Sequence, residues 1–228
     1  MERPQFENGE IYHVYNRGVE KRKIFLNDEN YLRFIHDLFE FNDISPAGKF
    51  FIFGGSTSEY AGKRKRESLV EILVFCLMPN HYHLLLRQLQ NGGITKFMKK
   101  IDIGYTMYFN KKNKRVGPLF QGRFKAVLID KQAQFYHIPY YVHLNPLELK
   151  LPNWKEGGIK DPQKAKEFLE TYRWSSHLDY IGKKNFPSII STRFLNETWG
   201  GSQKYRSDFN KTLKDFNKLD IYNEENLD

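Results

Sequence analysis

The stretch Leu77-Met78-Pro79-Asn80-His81-Tyr82-His83-Leu84-Leu85-Leu86 decides how this chain folds. Two histidines one residue apart, inside an apolar run, share a face if that run is a strand. On such a face two imidazole nitrogens can converge on one ion, a role histidine fills more often than any other side chain. Pro79-Asn80 interrupts the run, which predicts strands over Val70–Met78 and His81–Arg87 joined by a tight turn. A His-x-His dipeptide alone is more often an ordinary pair of strand histidines, so a second feature is needed to give it chemical meaning.

That feature lies in Tyr140-Tyr141-Val142-His143-Leu144-Asn145-Pro146. At helical spacing Tyr141 and Asn145 fall on one face, with His137 a turn earlier on the same stripe. Pro139 and Pro146 would bracket a short rigid helical segment. Asp130 is the expected cap of this helix.

Around these motifs the pattern reads as alternating strands and helices. Ile11–Gly18 predicts a first strand with His13, Tyr15 and Arg17 on one face. Asn27 or Asp28 would cap a helix carrying Leu32, Ile35, Leu38 and Phe39. Phe50–Phe53 reads as a strand and 54–67 as a polar loop containing Lys63-Arg64-Lys65-Arg66. Ile94, Phe97, Met98, Ile101, Tyr105, Tyr108 and Phe109 mark a long amphipathic helix. Arg123–Ile129 predicts a further strand. Pro152–Gly158 looks like a linker, followed by helices over Asp161–Tyr172 and around Tyr205, Phe209, Leu213 and Phe216. The expected division is residues 1–150 as a catalytic domain and 151–228 as a mainly helical extension, DNA-binding or structural.

The 228 residues are 40% hydrophobic and 28% charged, the composition of a globular protein. The N-terminus lacks the apolar core of a secretory signal, and Ile72–Met78 is too short to span a bilayer. A single cysteine, Cys76, gives no disulfide framework, so a cytoplasmic location is expected. The formal net charge is +9, and its placement matters more than its size. Between Lys96 and Lys125 nine basic residues face one acid, Asp102, which suits a polyanionic partner. Arg17, Lys111, Lys112, Lys114, Arg115, Arg123 and Lys125 are the candidate nucleic-acid contacts.

Paired strand histidines, a helix tyrosine with an amide four residues on, and a basic segment between them suggest phosphodiester chemistry. A metal on His81 and His83 would polarise a phosphate as a Lewis acid. Tyr141 would be the nucleophile, storing the bond energy in a phosphotyrosine. Asn145 offers a carbonyl oxygen suited to Mg2+ or Mn2+. No side chain stands out as general base.

These residues resemble the single-tyrosine HUH transposases of the insertion-sequence type, and within them the REP-associated tyrosine transposases. The resemblance rests on His13-Val14-Tyr15-Asn16-Arg17-Gly18, Met78-Pro79-Asn80-His81-Tyr82-His83 and Gly117–Lys125. It continues through Tyr141–Pro146 and Tyr172-Arg173-Trp174-Ser175-Ser176, in the family's order over roughly residues 9 to 180. It implies an α+β fold, an antiparallel sheet with helices packed on it in a ferredoxin-like arrangement. It also implies metal-dependent cleavage of single-stranded DNA, often beside a hairpin, with a 5′-phosphotyrosine intermediate. By the same resemblance His81, His83 and Asn145 hold the metal and Tyr141 attacks. The partner would be single-stranded DNA with hairpin structure, met by a monomer or homodimer. Pro139 and the basic loop 54–67 depart from the family pattern.

Three other readings compete. A histidine-triad nucleotide hydrolase would need a third histidine where Leu85 stands. A structural zinc site on Cys76, His81 and His83 would lack an evident fourth ligand. A catalytically inactive relative that only holds DNA hairpins would use the same basic surface without the chemistry.

Overall fold

The computed structural model describes residues 3–45 and 66–216. The expected strand at 50–53 and nearly all of the loop 54–67 lie outside these. Two strands form on either side of Pro79-Asn80, β2 (Val70–Met78) and β3 (His81–Gln88), as the apolar runs require. With β1 (Ile11–Arg17) and the short β4 (Lys125–Leu128) they make one antiparallel sheet in the order β2-β3-β1-β4. Helix α1 (Asp28–Glu40) connects β1 to β2 and α2 (Gly93–Lys112) connects β3 to β4. This βαββαβ order is the ferredoxin-like arrangement.

Alternation along the strands assigns each face its partners. Tyr12, Val14 and Asn16 of β1 and Tyr82, Leu84 and Leu86 of β3 lie under α1 and α2. Phe34 packs on Tyr82 and Tyr105. The buried stripe of α1 is Tyr31, Phe34, Ile35 and Leu38, whereas Leu32 and Phe39 are exposed. The apolar positions of that helix therefore do not all lie on one side. Asn27 caps it, accepting from the Asn30 amide.

Asp102 of α2 is half-buried, and Tyr82 Oη donates to it at 3.0 Å. Burial pushes its carboxyl up to about 7. The single acid of the basic segment is thus engaged by Tyr82, and the charge around it is predominantly positive.

The other face of the sheet, carrying His13, Tyr15, His81 and His83, is covered by α3 (Gln132–Leu144) and by the chain beyond it. Helix α3 runs through Pro139, so the prolines do not bracket a segment. Proline lacks only one amide, and packing of a largely apolar helix on the sheet compensates for that bond. Lys131, not Asp130, occupies its N-cap, without a side-chain bond.

After α3 the chain turns through 145–149 and returns in α4 (Pro162–Leu169), α5 (Thr192–Trp199) and α6 (Ser202–Asp215). Tyr205, Phe209, Leu213 and Phe216 are buried in the same hydrophobic core as the sheet. The segment Trp174-Ser175-Ser176 lies along the outer edge of β2, with Leu77 N donating to Trp174 O at 2.9 Å and Ser176 N to Phe75 O at 3.0 Å. That pairing covers an edge otherwise open to other strands. His143 of α3 reaches Ser176 Oγ at 2.7 Å through Nε2 and Tyr205 Oη at 2.6 Å through Nδ1. One buried imidazole therefore ties α3, the edge segment and α6 together. Pro152–Gly158 is not a linker. It holds a helical turn, Trp154–Gly157, whose Trp154 is buried against Phe216.

His177 is fully buried beside Phe209, and burial lowers its pKa to about 3. An imidazole kept neutral by folding takes up a proton on unfolding below its ordinary pKa near 6.5. Its stabilisation is therefore complete above that pH and lost as pH falls toward 3. The stability difference between the wild type and His177→Leu should shrink by up to about 1.4 kcal/mol for each unit below pH 6.5. Urea midpoints of both proteins at pH 7, 6 and 5 measure it, and a difference independent of pH would contradict the burial argument.

Candidate active site

The site is built on the two central strands. Antiparallel register sets Tyr15 opposite His83 and Arg17 opposite His81, so these four side chains share one face. The turn before His81 is held from outside: Gly18 N donates to Asn80 O at 2.8 Å, and Ile24 and Phe25 donate to Pro79 O. A Cβ on Gly18 would lie 2.3 Å from Arg22 O, which is why the chain needs glycine there. The motif 117–123 clips onto the same place, with Gln121 N donating to Arg17 O at 2.8 Å and Val19 N to Leu119 O at 2.9 Å. Tyr172 Oη donates to Leu77 O at 2.6 Å from the far side. Residues of the Gly18, 117–123 and Tyr172 motifs thus fasten the chain around the start of β3.

His83 is buried, with its Nδ1 2.9 Å from His13 Nε2 and the two rings stacked 5.1 Å apart. Burial, then the neighbouring His81, His13, Lys155 and Arg17, holds its pKa well below the usual imidazole range, so it is neutral. Its Nε2 is buried without a hydrogen-bond partner among the described residues. The tautomer that donates from Nδ1 to His13 leaves a lone pair on that Nε2. His81 Nδ1 donates to Asn80 Oδ1 at 2.6 Å, which likewise leaves its lone pair on Nε2. The His81 and His83 rings lie 4.9 Å apart at 86°.

These features fit a divalent ion. Each ring is oriented through Nδ1 by a neighbour, the usual support of a ligating histidine, and one Nε2 is an orphan that only an ion or small ligand would satisfy. Among the described residues no three histidine, cysteine or carboxylate side chains gather into a metal-holding group. Any ion here would need oxygen donors of another kind beside the two imidazoles. Cys76 is fully buried, and burial raises its thiol pKa.

Tyr141 and Tyr140 are consecutive on α3 and point about 100° apart. The Tyr141 ring stands edge-on to His83 at 6.2 Å and to His13 at 6.4 Å. Tyr140 turns instead into the C-terminal helices, stacking on Tyr205 at 5.2 Å and meeting Trp199 at 6.1 Å. Burial raises the Tyr140 phenol above its ordinary value. Asn145 is buried one turn beyond Tyr141, and its Nδ2 donates to the Tyr141 carbonyl at 3.1 Å. His137 is half-buried on the same helix, its pKa lowered by burial.

One close neighbour of Tyr141 has no signature in the sequence. Lys155 Nζ donates to Tyr141 Oη at 2.7 Å and lies 4.7 Å from its ring centroid. His13 also went unassigned, although its place two residues before Tyr15 on β1 was a signal that could have found it.

The candidate nucleic-acid contacts divide between the two faces. Arg17 and Lys125 border the histidines, Lys125 Nζ standing 5.7 Å from the Tyr15 ring. Lys111, Lys112, Lys114 and Arg115 gather at the C-terminal end of α2, on the opposite face. There the lysines also complement the helix dipole. Lys112 pairs with Glu29 at 2.5 Å, and Arg115 is occupied with Asn110 Oδ1 and Pro118 O. Lys111, Lys112 and Arg115, with Lys96, Lys99 and Arg33, border a groove of about 1240 Å3 between α1 and α2. Arg123 lines a separate cavity of about 750 Å3 with Phe120 and Phe124.

Comparison with known proteins agrees with the motifs. Residues 55–145 match the family model described as IS200-like transposase, a span that contains His81, His83, Tyr141 and Asn145. The resemblance to the insertion-sequence transposases is borne out. A solved structure described as the REP-associated tyrosine transposase bound to a REP hairpin is 15% identical, covering 84% of this chain and 90% of that one with a TM-score of 0.49. The comparison with curated proteins returns no match.

The orphan nitrogen gives a direct check. Calorimetric titration of the wild type with Mn2+ should give saturable binding, and His83→Ala should weaken it at least tenfold, as loss of a ligating imidazole does. Equal binding by both proteins would remove His83 from the ligand set.

Proposed function

We propose that this chain is a single-strand DNA endonuclease and strand transferase of the transposase type, acting beside DNA hairpins through Tyr141. The observation that carries the reading is the meeting, within one chain, of the Tyr141 ring with the His83 ring at 6.2 Å beside an orphaned imidazole nitrogen. The family match over residues 55–145 supports it.

In this reading His81 and His83 hold a divalent cation, Mg2+ or Mn2+, through Nε2, with the Asn145 amide oxygen as a further donor. The bound cation supplies Lewis-acid polarisation of the scissile phosphate. His13 keeps His83 in the required tautomer. Tyr141 Oη forms a bond to phosphorus and gives its proton to solvent. The bond from phosphorus to the 3′ oxygen breaks, and that oxygen leaves with the electron pair and takes a proton from solvent. The product is a 5′-phosphotyrosine, from which a 3′ hydroxyl can later displace Oη to rejoin strands without ATP. Arg17 and Lys125 stand where the scissile strand would lie. The lysines at the end of α2 would hold DNA on the other side of the sheet. Residues 1–150 supply the histidines and the nucleophile, and 151–228 brace them.

Incubation of hairpin-bearing single-stranded oligonucleotides with Mn2+, followed by a denaturing gel, tests the chemistry. The wild type should form a covalent adduct, and Tyr141→Phe should lose it while binding the hairpin as before. His81→Ala and His83→Ala should lose cleavage and retain most binding, and Tyr140→Phe should keep both. An adduct mapped to Tyr140 would refute the assignment. Hairpin binding by a wild type that never forms an adduct would favour the non-catalytic alternative.

Affinity should also fall steeply with salt, each phosphate contact on a single strand adding about −0.7 to the log–log slope. Replacing Lys111, Lys112 and Lys114 with glutamine should flatten that slope by as much as about 2. An unchanged slope and affinity would mean that these lysines are only a solvated helix end.

A further inference from the structure

We propose that Lys155 is a catalytic residue of the Tyr141 reaction, holding the nucleophilic oxygen in place and stabilising the charge it carries as the phosphotyrosine forms and breaks. The inference rests on the transposase reading of the site. It adds a group from outside residues 55–145, where the family match lies.

The placement of Lys155 is built into the fold. The helical turn Trp154–Gly157 begins at Asn153 in the left-handed region (φ 63°) and ends at Gly158 (φ 73°). Trp154, 1% exposed, anchors that turn against Phe216 at the end of α6, the rings 4.9 Å apart. With Trp154 turned inward, the next residue is directed along α3, and Lys155 Nζ comes to 2.7 Å from Tyr141 Oη. Tyr141 is itself 4% exposed and Lys155 is half-buried, so the contact is partly shielded from water, which strengthens a charge-assisted hydrogen bond. A lysine that only decorated the surface would keep its ammonium in solvent.

Lys155 acts in this scheme as a hydrogen-bond donor and not as a base. As its proton passes to solvent Oη gains negative charge, which the ammonium faces until the bond to phosphorus draws that charge off. In strand joining the bond from Oη to phosphorus breaks and Oη departs with the electron pair, into the same hydrogen bond. The attacking 3′ hydroxyl gives its proton to solvent. A fixed donor aimed where charge develops is the general means by which such steps are accelerated. The arrangement also makes the site a product of one chain: histidines from β3, tyrosine from α3, ammonium from the turn after it.

Lys155→Met and Lys155→Arg test the proposal. At saturating hairpin oligonucleotide and Mn2+, Lys155→Met should form the adduct roughly a hundredfold more slowly, the loss typical of one such donor. Its dissociation constant for the oligonucleotide should stay within about threefold of the wild type, because the contact is to the enzyme's own oxygen. Lys155→Arg, which keeps a charged donor, should recover most of the rate. A substrate-free measurement accompanies these: the 13Cζ signal of Tyr141, assigned by its absence in Tyr141→Phe, should move in Lys155→Met. Wild-type adduct formation with an equally fast Lys155→Met overturns the catalytic role. An unmoved Tyr141 signal overturns the contact. A wild type that forms no adduct on any hairpin oligonucleotide overturns the transposase reading itself, and the catalytic role of Lys155 falls with it.

Discussion

The antiparallel pairing of β1 with β3 is the constraint on which the rest depends. Because the register sets Tyr15 against His83 and Arg17 against His81, one face of two central strands carries the chemistry-bearing groups. The opposite face carries Tyr12, Val14, Tyr82 and Leu84 into the core. A slip of one residue would exchange the two sets, placing imidazoles under α1 and α2 and leucines beneath α3. The register is held in several places by backbone bonds to the ends of the strands. These come from Gly18, from Ile24 and Phe25, and from the 117–123 loop.

The site's polarity follows from burial on that face. His83 is surrounded by His13, Tyr15 and Tyr141, and its neutrality is a consequence of desolvation first and of nearby positive charge second. A neutral imidazole with one nitrogen occupied by a neighbour and the other unpartnered is a ligand in waiting, and an expensive one to bury for structural reasons alone. His143 makes an instructive contrast. It is equally buried and equally neutral, yet both of its nitrogens are occupied, by Ser176 and Tyr205. The same residue type serves as fastener in one place and offers a donor in the other. The difference lies only in which of its atoms are satisfied.

Positive charge is organised differently from what a count of lysines suggests. Asp102 is half-buried and bonded by Tyr82, and the lysines after it spread along α2, away from the histidines. On the proposed function, two basic regions on opposite faces of the sheet would let a nucleic acid pass from one to the other, one part held and another presented to Tyr141. The helix dipole and the Glu29 pair account for part of the clustering at the end of α2.

Much of this was legible in the sequence. The apolar alternation around Pro79-Asn80 determined two strands and the shared face of His81 and His83, because a strand's side chains alternate by steric necessity. Four-residue spacing put Tyr141 and Asn145 on one helical face for the equivalent reason in a helix. What tertiary structure alone decided is where chain segments without local pattern come to rest. Pro139 reads as a break yet is carried through by packing, and Leu32 and Phe39 fit a helical stripe yet face solvent. Lys155 sits in a stretch that looks like a linker, between a proline and two glycines. Nothing in its neighbours signals that a buried tryptophan and a final helix will bring it 2.7 Å from a tyrosine oxygen. Periodicity records which side of an element is apolar; it carries no information about which distant element will cover that side.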